Sequence, residues 1–141
     1  MVKKFPNAYI ISDEMYYNDR QREAFKIIFE IAREQKSDVV YYNIRQHPDA
    51  LSVDDFTNIP SFNLYVEYTD ITFDEIDDQI LSIYRNYKSS TEESIDDYDL
   101  RPFIMVVDGV SKIKDPEEFR IYLEQELSLL EFLNIYVIAI I

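Results

Sequence analysis

The stretch Phe103-Ile104-Met105-Val106-Val107-Asp108-Gly109 decides how the rest of the chain is interpreted. Its unbroken apolar run, bounded by Asp108, is typical of a strand that is covered on both faces. The Asp108 carboxylate is therefore expected at the carboxyl end of that strand. Gly109 is the only glycine among 141 residues. The chain thus lacks the glycines that let successive backbone N–H groups converge on phosphate oxygens.

The composition indicates one folded domain, residues 1–141. Hydrophobic residues make up 47% of the chain and aromatic residues 15%, which is too apolar for an intrinsically disordered chain. The absence of cysteine excludes disulfides, thiolate nucleophiles and thiolate metal ligands. No stretch approaches the ~18–20 apolar residues that span a bilayer, and the first residues lack the apolar core of a signal peptide. We therefore expect a cytoplasmic location, including as a domain of a membrane-anchored motor.

Acidic residues are concentrated in the middle of the chain. The net charge is −14, and residues 49–100 carry fourteen Asp and Glu against two Lys and Arg, a local charge of −12. Direct nucleic-acid binding is therefore not expected, because phosphate contacts need Lys and Arg. Residues 74–78 are acidic at the start of a predicted helix, where the helix dipole favours carboxylates. A second acidic cluster has no such local reason, and its residues are candidates for binding a basic protein partner, unless they only solvate the surface: Glu92, Glu93, Asp96, Asp97 and Asp99.

Strands and helices are predicted to alternate. Apolar or alternating runs predict strands at residues 8–11, 38–44, 62–68, 103–108 and 135–141. Three-to-four spacing of apolar residues predicts helices over residues 18–35, from 72 onward and from 116 onward, whereas the polar residues 89–99 are predicted to form a loop. The order βαββαβαβ implies an α/β fold of three αβα layers around a mostly parallel five-stranded sheet. The strand at 135–141 is uniformly apolar, which predicts cover on both faces and a central position. The alternation at 62–68 suits a strand with one solvent-exposed face or an edge position.

Local signals mark the helix starts. Asn18 and Asp19 are candidate caps for the first helix. Thr72 and Glu75 form a capping box for the second. Asp115 followed by Pro116 predicts the start of the third, since proline is favoured at the first helical position.

The order of these elements resembles the FtsK/SpoIIIE type of P-loop ATPase. The resemblance is carried by Ile59-Pro60-Ser-Phe-Asn-Leu-Tyr-Val, by Arg101-Pro-Phe-Ile-Met-Val-Val-Asp-Gly and by Asn134-Ile-Tyr-Val-Ile-Ala-Ile-Ile, with a helix before and after the second block. It is closest to the C-terminal ATPase domains of EssC-type motors of type VII secretion, some of which are degenerate. The resemblance implies a P-loop-NTPase-like fold of the RecA/FtsK type, with Asp108 at the Walker B position.

The same resemblance implies that the nucleotide chemistry is missing. Gly109 stands where the family has the acidic residue that polarises the attacking water. The Walker A position falls at residues 12–20, which hold no glycine and carry Asp13, Glu14 and Asp19 where a triphosphate would lie. Like charges at such distances repel by several kcal/mol. We therefore expect no catalytic residues, no cofactor and no metal, with Asp108 retained as a Walker B remnant or as a cap of the following turn.

Two classes of function follow. The first is a non-catalytic pseudo-ATPase module that acts as a scaffold, regulatory or substrate-docking domain of a secretion or translocation motor, with other motor modules or secreted substrates as its protein partners. The alternative is a stand-alone acidic binding protein of the immunity or inhibitor kind. A receiver-like signalling domain is a further alternative, with Asp70 as phosphoacceptor and Lys112 or Lys114 as its partner lysine.

Overall fold

A six-stranded sheet organises the chain. The computed structural model describes residues 2–12, 14, 16–33, 37–46, 62–69, 71–92 and 102–141. The elements are β1 (Val2–Phe5), β2 (Ala8–Ile11), α1 (Tyr17–Ala32), β3 (Ser37–Asn43), β4 (Phe62–Tyr68), α2 (Phe73–Glu92), β5 (Phe103–Asp108), a 3-10 turn (Val110–Lys112), α3 (Pro116–Leu133) and β6 (Ile135–Ile140). The predicted α/β class is confirmed.

The strands are arranged in the order β1-β2-β6-β5-β3-β4. Strands β2 to β6 all run parallel to one another. Strand β1 pairs with β2 and runs antiparallel to it. The last strand, β6, lies between β2 and β5, which is the central position expected from its apolar, uncharged sequence. Strand β4 lies at an edge of the sheet, which is one of the two settings expected from its alternating sequence.

The strand β1 corrects the prediction of five strands. It forms a hairpin with β2, in which Phe5 pairs with Ala8. The connecting residues are Pro6 and Asn7, and Asn7 has a φ of 61°. Proline followed by a residue with positive φ is the combination that a type II turn requires. The hairpin makes the sheet mixed rather than wholly parallel.

Helices cover both faces of the sheet. On one face, Ala24 and Ile28 of α1 pack in a buried cluster with Tyr41, Val106 and other sheet residues. On the opposite face, α2 and α3 pack on the side chains that alternate with these, and their fully or nearly fully buried contributions are Ile76, Ile80, Phe119, Leu123, Leu130 and Leu133. Each such side chain contributes ~1.5–3 kcal/mol by leaving water. The result is three layers, with the core divided by the sheet.

The apolar residues that recur at three-to-four spacing in α1 and α3 face the core. Ala24, Ile28 and Ala32 of α1 are completely buried, and Phe25 and Ile31 are partly buried. On α3, Tyr122 and Leu127 are partly buried beside the fully buried positions.

Two helix boundaries differ from the prediction. Helix α1 begins at Tyr17 after Tyr16, with no side-chain cap, so neither Asn18 nor Asp19 has the capping role. Helix α2 continues to Glu92, so the first part of the predicted loop 89–99 is helical. Residues 93–99 lie outside the described residues.

The other two helix starts are confirmed. The Thr72 hydroxyl accepts a hydrogen bond from the Glu75 backbone N–H at 3.3 Å. The Asp115 carboxylate accepts one from the Glu118 backbone N–H at 3.2 Å, with Pro116 at the first helical position. In the described part of the chain, no helix is both long enough and apolar enough to cross a membrane.

Candidate functional site

The candidate site lies where β3, β5 and β6 end. The register places Asn43, Asp108 and Ile140 side by side at the carboxyl ends of these parallel strands. This edge is where open α/β sheets generally bind their ligands. The N-terminal turns of α1 lie over the same edge, because Tyr17 and Gln21 both contact Asp108.

The Asp108 carboxylate is completely buried and held by three donors. Its Oδ2 atom accepts hydrogen bonds from the Tyr17 hydroxyl at 2.6 Å, the Gln21 Nε2 amide at 3.0 Å and the Tyr41 hydroxyl at 2.8 Å. The Tyr41 hydroxyl also lies 3.1 Å from Gln21 Oε1. A buried carboxylate is tolerated only when it is hydrogen-bonded or paired. The hydrogen bonds from these three side chains therefore offset much of the cost of burying the Asp108 carboxylate.

Arg45 supplies the charge partner. Its Nε atom lies 3.5 Å from Asp108 Oδ1, and its side chain is 22% exposed. The two atoms form an ion pair without a hydrogen bond, and both are buried without a hydrogen-bond partner. Arg45 is also fixed through its backbone, since the Ile44 and Arg45 N–H groups both donate to the Asp108 carbonyl at 3.0 Å. The carboxylate thus faces a cation on one oxygen and neutral donors on the other.

A second arginine lies against the same tyrosine. Arg20 is 9% exposed, and its Nη1 atom donates to the Ile141 carbonyl at 2.5 Å. The guanidinium carbons of Arg20 and Arg45 lie 5.5 and 5.9 Å from the centre of the Tyr17 ring. Both distances are within the range of cation–π attraction. Tyr17 therefore links two guanidinium groups to the carboxylate.

The Tyr17 hydroxyl keeps its proton at physiological pH. Burial, followed by the hydrogen bond to Asp108 and the negative charge of that carboxylate, raises the pKa of Tyr17 well above its ordinary value of 10.0. Arg45 opposes this shift of the pKa but is outweighed. The phenol is thus a hydrogen-bond donor to Asp108 and does not act as a base.

Gly109 fits a tight space beside the carboxylate. Its φ is 108°, and a Cβ atom placed on it would lie 3.0 Å from the Arg45 backbone nitrogen. Its N–H donates to the Ile140 carbonyl at 3.0 Å. Both its positive φ and the proximity of Arg45 disfavour any residue with a side chain. The glycine therefore has a structural reason that is independent of catalysis.

The arrangement is poorly suited to holding a metal ion. Within the described residues, no three His, Cys, Asp or Glu side chains lie close enough together to form a metal site. The groups around Asp108 are two phenols, an amide and a guanidinium, and their contacts with Asp108 are those of donors and a cation. Mg²⁺ would instead require several oxygen ligands and water. The geometry shows Asp108 as a buried acceptor.

The other predicted site residues do not converge on Asp108. Glu14 is exposed, and its backbone N–H donates to the Ser12 hydroxyl. Asp19 lies in the first turn of α1, where it pairs with Arg22 at 3.6 Å. Asp13 lies outside the described residues.

The candidate protein-binding residues are placed only in part. Glu92 is the last residue of α2. The remaining four, Glu93, Asp96, Asp97 and Asp99, lie outside the described residues.

For the receiver-like alternative, the proposed lysine and strand order are both unfavourable. Lys114 pairs with Glu118 at 3.6 Å and lies 4.6 Å from the Phe73 ring centre. Lys112 is exposed in the 3-10 turn, and Asp70 lies outside the described residues. The five parallel strands follow the chain order 1-5-4-2-3, whereas flavodoxin-like sheets have the order 2-1-3-4-5.

Sequence reasoning missed the residues that surround Asp108. Gln21 lies one turn before Ala24 and Phe25, so it extends the apolar stripe of α1 and could have been predicted to face inward. Tyr41 shares a face of β3 with Val39, which also indicates burial. Arg45 lies two residues after the end of β3, and no pattern in the sequence predicts that its side chain meets Asp108.

Comparison of the chain with protein-family models, with curated protein sequences and with solved structures found no match.

Proposed function

We propose that this chain is a non-catalytic binding module, a degenerate ATPase domain of the FtsK/SpoIIIE type that serves as a scaffold, regulatory or docking unit of a secretion or translocation motor. One observation carries the proposal. The carboxylate at the Walker B position is completely buried and is occupied by Tyr17, Gln21, Tyr41 and Arg45. In an active ATPase of this kind the same carboxylate serves Mg²⁺ and nucleotide.

The hydrogen bonds that Asp108 makes within the protein favour this arrangement over the binding of a metal ion. Three hydrogen bonds to a charged acceptor are worth ~1.5–3 kcal/mol each. A metal ion would have to displace donors that are already matched to the carboxylate, and it would lie close to the guanidinium of Arg45. We base two further parts of the proposal on the resemblance of the sequence blocks. These are the P-loop type of fold and the location in a motor.

The absence of nucleotide binding can be tested on the intact chain. We expect no saturable change in the ¹⁵N–¹H spectrum on addition of millimolar Mg·ATP, in particular at Arg45 and Gly109. Mg²⁺ alone serves as the control for weak, non-specific binding to the acidic surface. Saturable shifts at these residues, with release of phosphate, would show that the site is active and that the proposal is wrong.

The scaffold role needs a separate test. The tagged chain, expressed from its own locus and cross-linked in cells, should capture ATPase components of a motor both with and without ATP. Capture of a single small basic protein, with no motor component, would instead support the immunity or inhibitor alternative.

A further inference from the structure

A cleft lies at the other end of β6 from Asp108. An open cleft of about 460 Å³ is formed between the β1–β2 turn and the start of β6. This volume falls in the range of ~300–1,000 Å³ that is usual for small-molecule sites. The cleft is lined by Lys4, Phe5, Pro6, Asn7, Tyr9 and Tyr136.

The sheet register brings three of these side chains onto one face. Lys4 is the direct partner of Tyr9 in the antiparallel pair of β1 and β2. Tyr9 pairs with Ile138 of β6, so Tyr136, two residues earlier, points to the same face. Directly paired and diagonal side chains on one face are near enough to act together on one ligand.

The turn that closes the cleft is held in place. Asn7 has a φ of 61°, and its Nδ2 amide donates to the Ile135 carbonyl at 3.1 Å. Its own carbonyl accepts a hydrogen bond from the Val137 N–H at 3.0 Å. The turn is therefore tied to β6 by both its side chain and its backbone, and the cleft is largely preformed.

The polar groups of the cleft favour a ligand with one negative charge. The Lys4 ammonium lies 5.8 Å from the centre of the Tyr9 ring. Among the described residues, Lys4 has no ion-pair partner. Burial, with smaller effects from Tyr136 and Glu30, raises the pKa of Tyr9, so its phenol keeps a proton that it can donate. Lys4 is the one charged side chain among the described lining residues, so it can balance one negative charge on a ligand and would leave a second one unpaired.

The apolar part of the lining favours a ligand with a ring-sized body. Pro6 and the two tyrosine rings provide the apolar surface, whereas the Phe5 side chain packs on the cluster at the opposite face of the sheet. We propose that this cleft binds a small monocarboxylate whose apolar body packs on Tyr9 and Tyr136 while its carboxylate meets Lys4. This site is independent of the proposed scaffold function and of Asp108.

Phenylacetate is a suitable probe, with phenylacetamide as its uncharged counterpart. We expect saturable shifts in the ¹⁵N–¹H spectrum at Asn7, Tyr9 and Tyr136, with a dissociation constant of about 1 mM, as is usual for a ligand of this size. Gly109, at the opposite end of the sheet, should not shift. Phenylacetamide should bind about tenfold more weakly, since it lacks the charge-assisted contact.

Lys4→Met tests the charge with little loss of side-chain length, and Lys112→Met is a matched exposed control. The first should weaken phenylacetate binding about tenfold and the second should leave it unchanged. Circular dichroism checks that both variants fold. The proposal is overturned if phenylacetamide binds as well as phenylacetate, if phenyl phosphate binds more tightly than phenylacetate, or if no shift saturates below about 20 mM.

Discussion

Tyr41 and Asp108 lie on neighbouring parallel strands, and the Tyr41 hydroxyl donates a 2.8 Å hydrogen bond to Asp108 Oδ2. Both residues are completely buried. Because Tyr41 pairs in register with Val106, its side chain reaches along the sheet to the end of β5. The contact therefore joins the middle of one strand to the carboxyl end of the next.

Removing this hydroxyl should destabilise the fold. We expect Tyr41→Phe to lower the free energy of unfolding by about 1.5–3 kcal/mol, because a hydrogen bond to a buried charged acceptor is lost. Urea denaturation measures the change. Tyr16→Phe is the matched control, since Tyr16 is 85% exposed, and its effect should stay within about 0.5 kcal/mol. Equal stability of the two variants would mean that the network contributes nothing.

Gly109→Ala should also destabilise the chain. The added Cβ atom would lie 3.0 Å from the Arg45 nitrogen at a φ of 108°. Strain of this kind costs about 1–3 kcal/mol. Ser111→Ala, at an exposed position two residues later, is the control. A thermal unfolding midpoint for Gly109→Ala that equals that of the control would contradict the strain argument.

Stability should fall in alkali. Burial raises the pKa of Tyr42, with a smaller contribution from Tyr68, and the pKa of Tyr17 is raised as described. Because the folded-state pKa exceeds the unfolded value, this stabilisation is complete below about pH 10 and is lost as the pH rises towards the folded value. Urea midpoints measured across this range should decrease, and they should decrease less steeply in Tyr42→Phe. Identical slopes in the two proteins would refute the assignment to Tyr42.

The acidic cluster should govern binding to a basic partner. Changing its five acids to Asn and Gln should weaken that binding and reduce its dependence on ionic strength, because charge steers association. The partners captured from the native host before and after the change provide the measurement. The residues changed are Glu92, Glu93, Asp96, Asp97 and Asp99.

A control set tests whether position matters as well as charge. Three exposed acids in the first two turns of α2 can be changed in the same way: Asp74, Glu75 and Asp78. If both sets reduce binding equally per charge removed, the interaction depends on overall charge and the cluster has no special role.

Local chemistry made much of the fold predictable from sequence. Asp115 with Pro116 and Thr72 with Glu75 mark helix starts through short-range hydrogen bonds, which depend little on the rest of the fold. The uniformly apolar sequence of β6 is typical of its central position, and the alternating sequence of β4 is compatible with its edge position. These signals are contained within a few consecutive residues.

The features that were missed depend on distant contacts. β1 is short and carries two lysines, so its sequence resembles a polar terminus, and only pairing with β2 makes it a strand. The surroundings of Asp108 come from α1, β3 and the residues after β3, up to 91 positions away in the chain. No local pattern encodes such a meeting of side chains. The sequence therefore identifies Asp108 as a residue of interest. It does not predict that the carboxylate is buried and surrounded by hydrogen-bond donors.

The central position of β6 also determines when the sheet can form. The β1–β2 hairpin reaches β5 only through β6, which is synthesised after the other five described strands. Contacts between residues so far apart are slow to form, because the intervening chain must first be ordered. Until residues 135–140 are made, β2 and β5 each present an unpaired parallel edge with apolar side chains. Such edges invite association with other chains, and the pairing of β6 with both of them removes that opportunity.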